Sequence, residues 1–256
     1  MAYQSFYTRA AQQPGRIAIA EPDEHEVTAG ELLASVNQVS NGLRQAGMKV
    51  LVAPTTKMML DEADNVGPLV TSEDAGELRE RASSALSGSP AVVAGSGMLS
   101  KNRVGGVDPG WIGDLARLAD VVLIEADGSR HRPIKGTADH EPALPDTATL
   151  VVAVANVHAL GTPVDEEHVH RPEVFSDLTG VGPGQSITPG AFATALARGS
   201  LAKVPPAART AALITGVEPG RSMSDASVIT RELWRRGVKN VVLTSLPESP
   251  PRVWVP

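Results

Sequence analysis

Short runs of aliphatic, largely β-branched residues recur along this chain: RIAIA (16–20), KVLVA (49–53), AVVAG (91–95), DVVLIEA (120–126), LVVAVAN (150–156), AALIT (211–215) and NVVLTSL (240–246). Each is bounded by polar, glycine or proline residues, and helix-like stretches separate them. A strand covered on both faces reads as a continuous apolar run, and parallel strands need a crossover between them, which is usually a helix. The pattern therefore predicts an α/β fold, a mostly parallel sheet with helices on both faces.

The crossovers carry helix signals. Leu32, Val36, Val39, Leu43 and Ala46 fall at steps of four and three, predicting a helix from about Thr28 to Ala46. Thr28 and Glu31 have capping-box spacing, and Gly47 can close the helix in the left-handed conformation. Pro109 after Asp108, and Pro189 after Thr188, mark two further helix starts. A fourth helix is expected from about Ser224 to Arg236, with Ile229 and Leu233 on one side, ending before Gly237. Proline and glycine cluster at 181–190 and 245–256, predicting a loop and a poorly ordered tail.

With 42% hydrophobic and 3% aromatic residues, the core must be built from Val, Leu, Ile and Ala. Lys and Arg number 23 against 29 Asp and Glu, a formal charge of −6 that speaks against general binding to nucleic acid or anionic membrane. The N-terminal residues lack the apolar core of a signal peptide, and the longest apolar run, LVVAVA at 150–155, is too short to span a bilayer. A cytoplasmic location is expected. The absence of cysteine excludes disulfides, thiolate ligands and cysteine nucleophiles.

Polar residues concentrate in LIEADGSRHRPIKGTADHEPALP (123–145), where an apolar strand runs into Glu125, Asp127, Gly128, Ser129, Arg130, Arg132, Lys135, His140 and Glu141. Open α/β sheets bind ligands beyond the carboxyl ends of their strands. An acid that holds a cation or its water, followed by glycine and bases that neutralise phosphate, suits a magnesium-bound polyphosphate. A surface loop whose acids and bases pair with one another has the same composition.

From about Lys49 to Trp254 the chain resembles the YqeC family, described as accessory proteins of selenium-dependent hydroxylases. The resemblance is carried by PTTKM (54–58), VGGVDPGW (104–111), LIEADGSRHRPIK (123–135), HEPALP (140–145) and GTPVDEEHVHRPE (161–173). It implies a nucleotide-binding fold like that of P-loop NTPases and a role in maturing molybdenum hydroxylases, with the hydroxylase or its maturation factors as partners. Carried over by position, Thr55, Thr56 and Lys57 would form a switch-like turn. Glu125 and Asp127 would be the catalytic acids, with Asp127 on magnesium, and Gly128, Ser129, Arg130, Arg132, Lys135, His140 and Glu141 would line the cofactor site.

Two departures qualify this. Where the family has a base-recognising Asn-Lys-x-Asp turn, this chain has Thr215, Gly216, Val217 and Glu218, and no GxxxxGK[ST] occurs anywhere. In place of the phosphate loop, residues 5–47 resemble the first segment of acyl-CoA synthetases of the adenylate-forming superfamily. The residues that perform adenylation are absent, so an acyl-CoA ligase is not expected. The sequence thus divides into a strand-loop-helix segment (1–48), packed on or completing the main sheet, and a YqeC-like α/β domain (49–256). Between Arg16 and Arg44 there is no Lys or Arg, whereas Glu21, Asp23, Glu24, Glu26 and Glu31 crowd the strand-to-helix connection. Magnesium nucleotide, ATP or GTP, should bind weakly or not at all, because carboxylates repel phosphate more than one helix terminus attracts it.

His168 and His170 alternate as two metal ligands on one extended segment would, but without a third ligand at recognisable spacing they read as hydrogen-bonded structural histidines. GSG at 95–97 reads as a tight turn more readily than as a phosphate loop. Three functions stay open: an accessory protein with a degenerate nucleotide site, a nucleotide hydrolase with a substitute phosphate site, and an inactive chimeric chain.

Overall fold

The computed structural model describes residues 47–218, 220–244 and 253–254. The strand expected at 16–20, the helix at 28–46 and the segment 1–48 as a unit lie outside the described residues. The described residues divide into two compact units, one containing residues 47–127 and 145–147, the other containing residues 128–144 and the described residues from 148 onward.

The first unit is built on a four-stranded parallel sheet of β1 (Val50–Val52), β3 (Leu69–Thr71), β4 (Ala91–Gly95) and β7 (Val121–Leu123), in the order β3-β4-β1-β7. Side chains alternate across it. Val50 and Val52 pack with Ala63 and Val66 of α1 (Leu60–Val66), while Leu51 and Ala53 pack with Leu78, Ala82 and Leu86 of α2 (Ala75–Gly88) and with Ile112 and Leu115 of α3 (Ile112–Leu115). Helices on both faces are why KVLVA reads as unbroken apolar sequence. α2 starts where the Asp74 carboxylate accepts the Glu77 N–H at 2.8 Å, and it buries Leu78, Ala82 and Leu86 at steps of four. β2 (Met58–Met59), β5 (Met98–Ser100) and β6 (Arg103–Val104) form a small antiparallel sheet.

The second unit has its own four-stranded sheet, β13-β12-β11-β9, made from β9 (Leu150–Asn156), β11 (Arg209–Thr215), β12 (Val241–Thr244) and β13 (Val253–Trp254). The first three are parallel, and β13 runs antiparallel to β12. Val151, Ala153 and Ala155 of β9 share a face with Ala212 and Ile214 of β11 and with Val241 and Leu243 of β12. Onto that face pack Phe175 of α4 (Pro172–Thr179), Phe192 of α5 (Pro189–Thr194), Leu196 of the π-helical turn Ala195–Ser200, and Ile229 and Leu233 of α6 (Arg221–Arg235). Two short parallel strands, β8 (Ile134–Lys135) and β10 (Val169–His170), pair separately.

The α/β class and the mostly parallel pairing hold, with three corrections. The described strands form two principal sheets rather than one, because the apolar pattern identifies buried strands while long-range hydrogen bonds decide which sheet each joins. Helices cover both faces only in the first; the described helices of the second pack on one. Of the tail expected at 245–256, only Val253 and Trp254 are described, as β13 paired with Thr244 and Leu243; the rest of that expectation lies outside the described residues. The start at Asp108 yields only a 3-10 turn, Pro109–Trp111, and the short α3, whereas Thr188 caps α5 by accepting the Ala191 N–H at 3.1 Å.

Candidate functional site

The charged segment 123–141 is shared between the two units, and each holds a distinct cluster. In the first, backbone pairing continues past the strands: the Ala53 N–H donates to the Leu123 carbonyl at 2.9 Å and the Thr55 N–H to the Glu125 carbonyl at 3.0 Å. This sets Thr55 beside Glu125 at the carboxyl edge of the sheet. The loop after β6 closes over it, with the Val107 N–H on the Pro54 carbonyl at 2.7 Å. Gly106 makes that approach possible, since a Cβ there would lie 2.6 Å from the Thr55 carbonyl carbon and 2.7 Å from the Thr56 oxygen.

The Glu125 side chain is buried, and among the described residues its Oε2 atom has no hydrogen-bond partner. Burial, then the negative charges of Glu62 and Asp127, push its carboxyl well above the usual range. Glu62, on the first turn of α1, accepts the Met59 N–H at 3.0 Å; burial raises its pKa, and that hydrogen bond opposes the rise.

The second unit gathers the bases. Parallel pairing sets Lys135 opposite His170, and the Gly136 N–H reaches the His170 carbonyl at 2.8 Å. Lys135 Nζ donates to Glu141 Oε2 at 2.7 Å and to the Gly128 carbonyl at 3.0 Å. Arg171 donates to both carboxylate oxygens of Glu141, with Nη2 at 3.0 Å from Oε1. Desolvation would raise the Glu141 pKa, but the hydrogen bonds from Arg171 and Lys135 overcome it and hold the group at about 2. His170 is lowered to about 4, first by desolvation and then by Arg171, Lys135 and Arg130.

Two features fix this geometry. Gly136 lies against the start of α4, where a Cβ would meet the Phe175 nitrogen at 2.3 Å and the Arg171 oxygen at 2.6 Å. Arg130 and His131 take left-handed φ values of 51° and 64°, and Arg171 takes 58°. Left-handed side-chain-bearing residues cost energy and cluster at functional sites.

Of the residues singled out in the sequence, Thr55, Glu125 and Asp127 come together in the first unit, where Thr56 is half-buried and Lys57 exposed. Gly128, Ser129, Arg130, Arg132, Lys135, His140 and Glu141 belong to the second. Ser129 Oγ donates to the Arg132 carbonyl at 2.8 Å and Arg132 Nε to the Glu166 carbonyl, so both brace the loop; Arg130 and His140 are exposed. His168 Nδ1 lies 2.8 Å from Asp165 Oδ1, the hydrogen-bonded arrangement of a structural histidine. GSG is a packed turn, its Ser96 N–H donating to the Gly105 carbonyl at 2.9 Å. Sequence reasoning missed Arg171 and Glu62. Arg171 stood inside the HVHRPE motif, and a base directly before a helix-starting proline was its signal; Glu62 had none.

Magnesium is the ion expected at Asp127. Among the described residues no three of His, Cys, Asp and Glu gather as a metal site, and Glu125 Oε2 is closed off from solvent. Such an edge fits magnesium only where phosphate and water fill most of its coordination. The described residues do not fit a magnesium ion held by the protein alone.

These features define an α/β protein on parallel sheets, with polar residues gathered beyond the strand ends of the first. A family model for the YqeC protein matches residues 34–173, more than half of the sequence, and the chain belongs to that family. It is similar to the uncharacterized protein YqeC of Escherichia coli (strain K12), 34% identical over 147 residues, which cover 57% of this chain and 56% of that protein. The alignment thus spans little more than half the length of this relative. No solved structure matches. No described helix is long and apolar enough to cross a membrane.

Proposed function

We propose that this chain is an accessory protein in the maturation of selenium-dependent molybdenum hydroxylases, and that it acts by binding an anionic cofactor intermediate rather than by turning over nucleotide. The observation that carries the choice of binding over hydrolysis is the burial of Glu125. In a nucleotide hydrolase the acids at a strand end are offered to the cation and its water. Here Glu125 lies beneath the edge, closed off from solvent, with Asp127 left half-buried beside it. The missing phosphate loop supports the same reading.

The bases of the second unit supply what an anionic ligand needs: Lys135 and Arg171 converge on one carboxylate, with Arg130 near enough to act on His170. The test pairs two assays on the purified full-length chain. Phosphate release from magnesium ATP or GTP should stay at background, while addition of the chain should increase the active fraction of a selenium-dependent molybdenum hydroxylase assembled in vitro. Steady phosphate release would favour the hydrolase reading, and no gain in active hydroxylase would contradict the accessory one.

A further inference from the structure

We propose that the edge formed by β5 and the turn after it, Met98 to Arg103, is a docking surface for an acidic segment of a protein partner, seated on Met98 and Leu99 and held by Lys101 and Arg103. The inference lies within the first unit, uses residues outside the charged segment, and does not depend on the accessory reading above.

Exposure is the first support. Met98 is 49% exposed and Leu99 55%, and among the described residues only Trp234 is a further exposed large hydrophobic side chain. Two such residues therefore stand side by side on one three-residue strand. Apolar residues scattered singly over a surface are ordinary, whereas adjacent ones rimmed by polar residues mark an interaction site. The packing of this small sheet does not need them: Met58 and Val104, paired across β2 and β6, are the buried residues that enter the core of the first unit.

Charge is the second. From Ser96 to Val107 there is no acidic residue, while Lys101 and Arg103 are both exposed, and exposed Lys57 stands directly before β2, whose Met59 pairs with Arg103. None of these three bases has a hydrogen bond or ion pair to a described residue. The Glu73 carboxylate comes near Gly97, at the end of β5 away from the bases, and Glu62 accepts the Met59 N–H. On a chain of formal charge −6, this edge is a local excess of bases, and its electrostatic complement is an acidic partner.

Strand pairing decides how the partner is held. β5 ends the order β2-β6-β5, so among the described residues one of its sides carries no further strand. Met98 lies opposite Val104 and Ser100 opposite Arg103, which makes Leu99 the extra residue of a bulge. A bulge and a lysine at a sheet edge both oppose the addition of another strand. The partner therefore meets side chains rather than backbone. Met98, with its flexible thioether, adapts to the apolar centre, and the bases form the charged rim around it.

The test uses the full chain and, as probe, a synthetic helical peptide with leucine on one face and glutamate on the other. Binding is followed by fluorescence anisotropy and by the NMR shift of the Met98 methyl group. The parent should bind saturably, with an affinity that falls at least fivefold from low to physiological salt, and its Met98 methyl should shift. Met98→Ser/Leu99→Ser and Lys101→Ser/Arg103→Ser should each bind at least tenfold more weakly, the second with a reduced salt dependence. All four side chains are exposed, so both variants should melt with the parent. A peptide with lysine in place of glutamate should bind the parent at least tenfold more weakly, a comparison that needs no variant. No binding of the glutamate peptide, binding indifferent to either double variant, or equal affinity for the lysine peptide would each overturn the proposal. Tighter association with phosphatidylserine vesicles than with the peptide would also overturn it, by assigning the edge to a membrane surface.

Discussion

Arg171 and Glu141, thirty residues apart in the chain, meet through both carboxylate oxygens, so the residue before helix α4 fixes the end of the charged loop. Lys135 joins the same carboxylate from β8, six residues before it, so β8, the loop that follows it and the start of α4 are tied at one point. This contact is ionic, and it should make the second unit sensitive to acid.

The sign can be worked out for both titrating members. Glu141 is depressed to about 2 in the folded chain from an ordinary 4.5, so its contribution is present above 4.5 and is lost as pH falls toward 2. His170 is depressed to about 4 from 6.5, so the unfolded chain takes up the proton first and stability falls between pH 6.5 and 4. Urea midpoints measured from pH 7 to 5 should decline in the parent and decline less in His170→Asn. Identical slopes would show that His170 is not held neutral by its surroundings.

Gly136 should be the least replaceable glycine of the second unit. In Gly136→Ala the new carbon would meet the backbone of Phe175 and Arg171 at 2.3 and 2.6 Å, and neither atom is the free end of a side chain. A loss of about 1–3 kcal/mol or more is expected from overpacking, together with weakened contact between Arg171 and Glu141. Gly88→Ala, at the end of α2 with nothing within 4 Å, should be neutral or stabilising by about 0.5–1 kcal/mol. Chemical denaturation of the two variants checks the contrast, and equal effects would refute the packing argument.

Glu125 should be a residue that the fold would be more stable without. Its buried Oε2 has no partner among the described residues, and an unsatisfied buried polar group costs about 1–3 kcal/mol. Glu125→Met fills similar volume without that cost, so its melting temperature should rise while any function of the acidic edge is lost. A lower melting temperature would mean that the carboxyl makes a stabilising interaction in solution.

Much of the fold was legible because its signals are local. KVLVA and AVVAG announce strands buried on both sides, LVVAVAN announces a strand although only one of its faces is fully buried, and Thr188 with Pro189 announces a helix start. Helix α2 is not among the helices expected from the sequence, although Asp74 and the spacing of Leu78, Ala82 and Leu86 carry its signal. The grouping of strands into two sheets was not legible, since it depends on pairings such as Thr215 with Asn156 across nearly sixty residues. The antiparallel set of β2, β5 and β6 comprises elements too short to carry a period.

The charged segment was legible as a site by composition, but its division was not. Nothing in ADGSR says that Asp127 falls in one compact unit and Gly128 in the next. Nor does the spacing of Lys135 and Glu141 reveal that Arg171 completes their cluster, because that contact is made only when β8 and β10 pair.

The most direct test of the accessory role is made in cells that produce a selenium-dependent molybdenum hydroxylase. Its activity and molybdenum content should be measured with the native chain, without it, and with Lys135→Met/Arg171→Met at equal soluble levels. The account predicts that both quantities fall together without the chain and are not restored by the double variant. Full hydroxylase activity in the absence of the chain would contradict it.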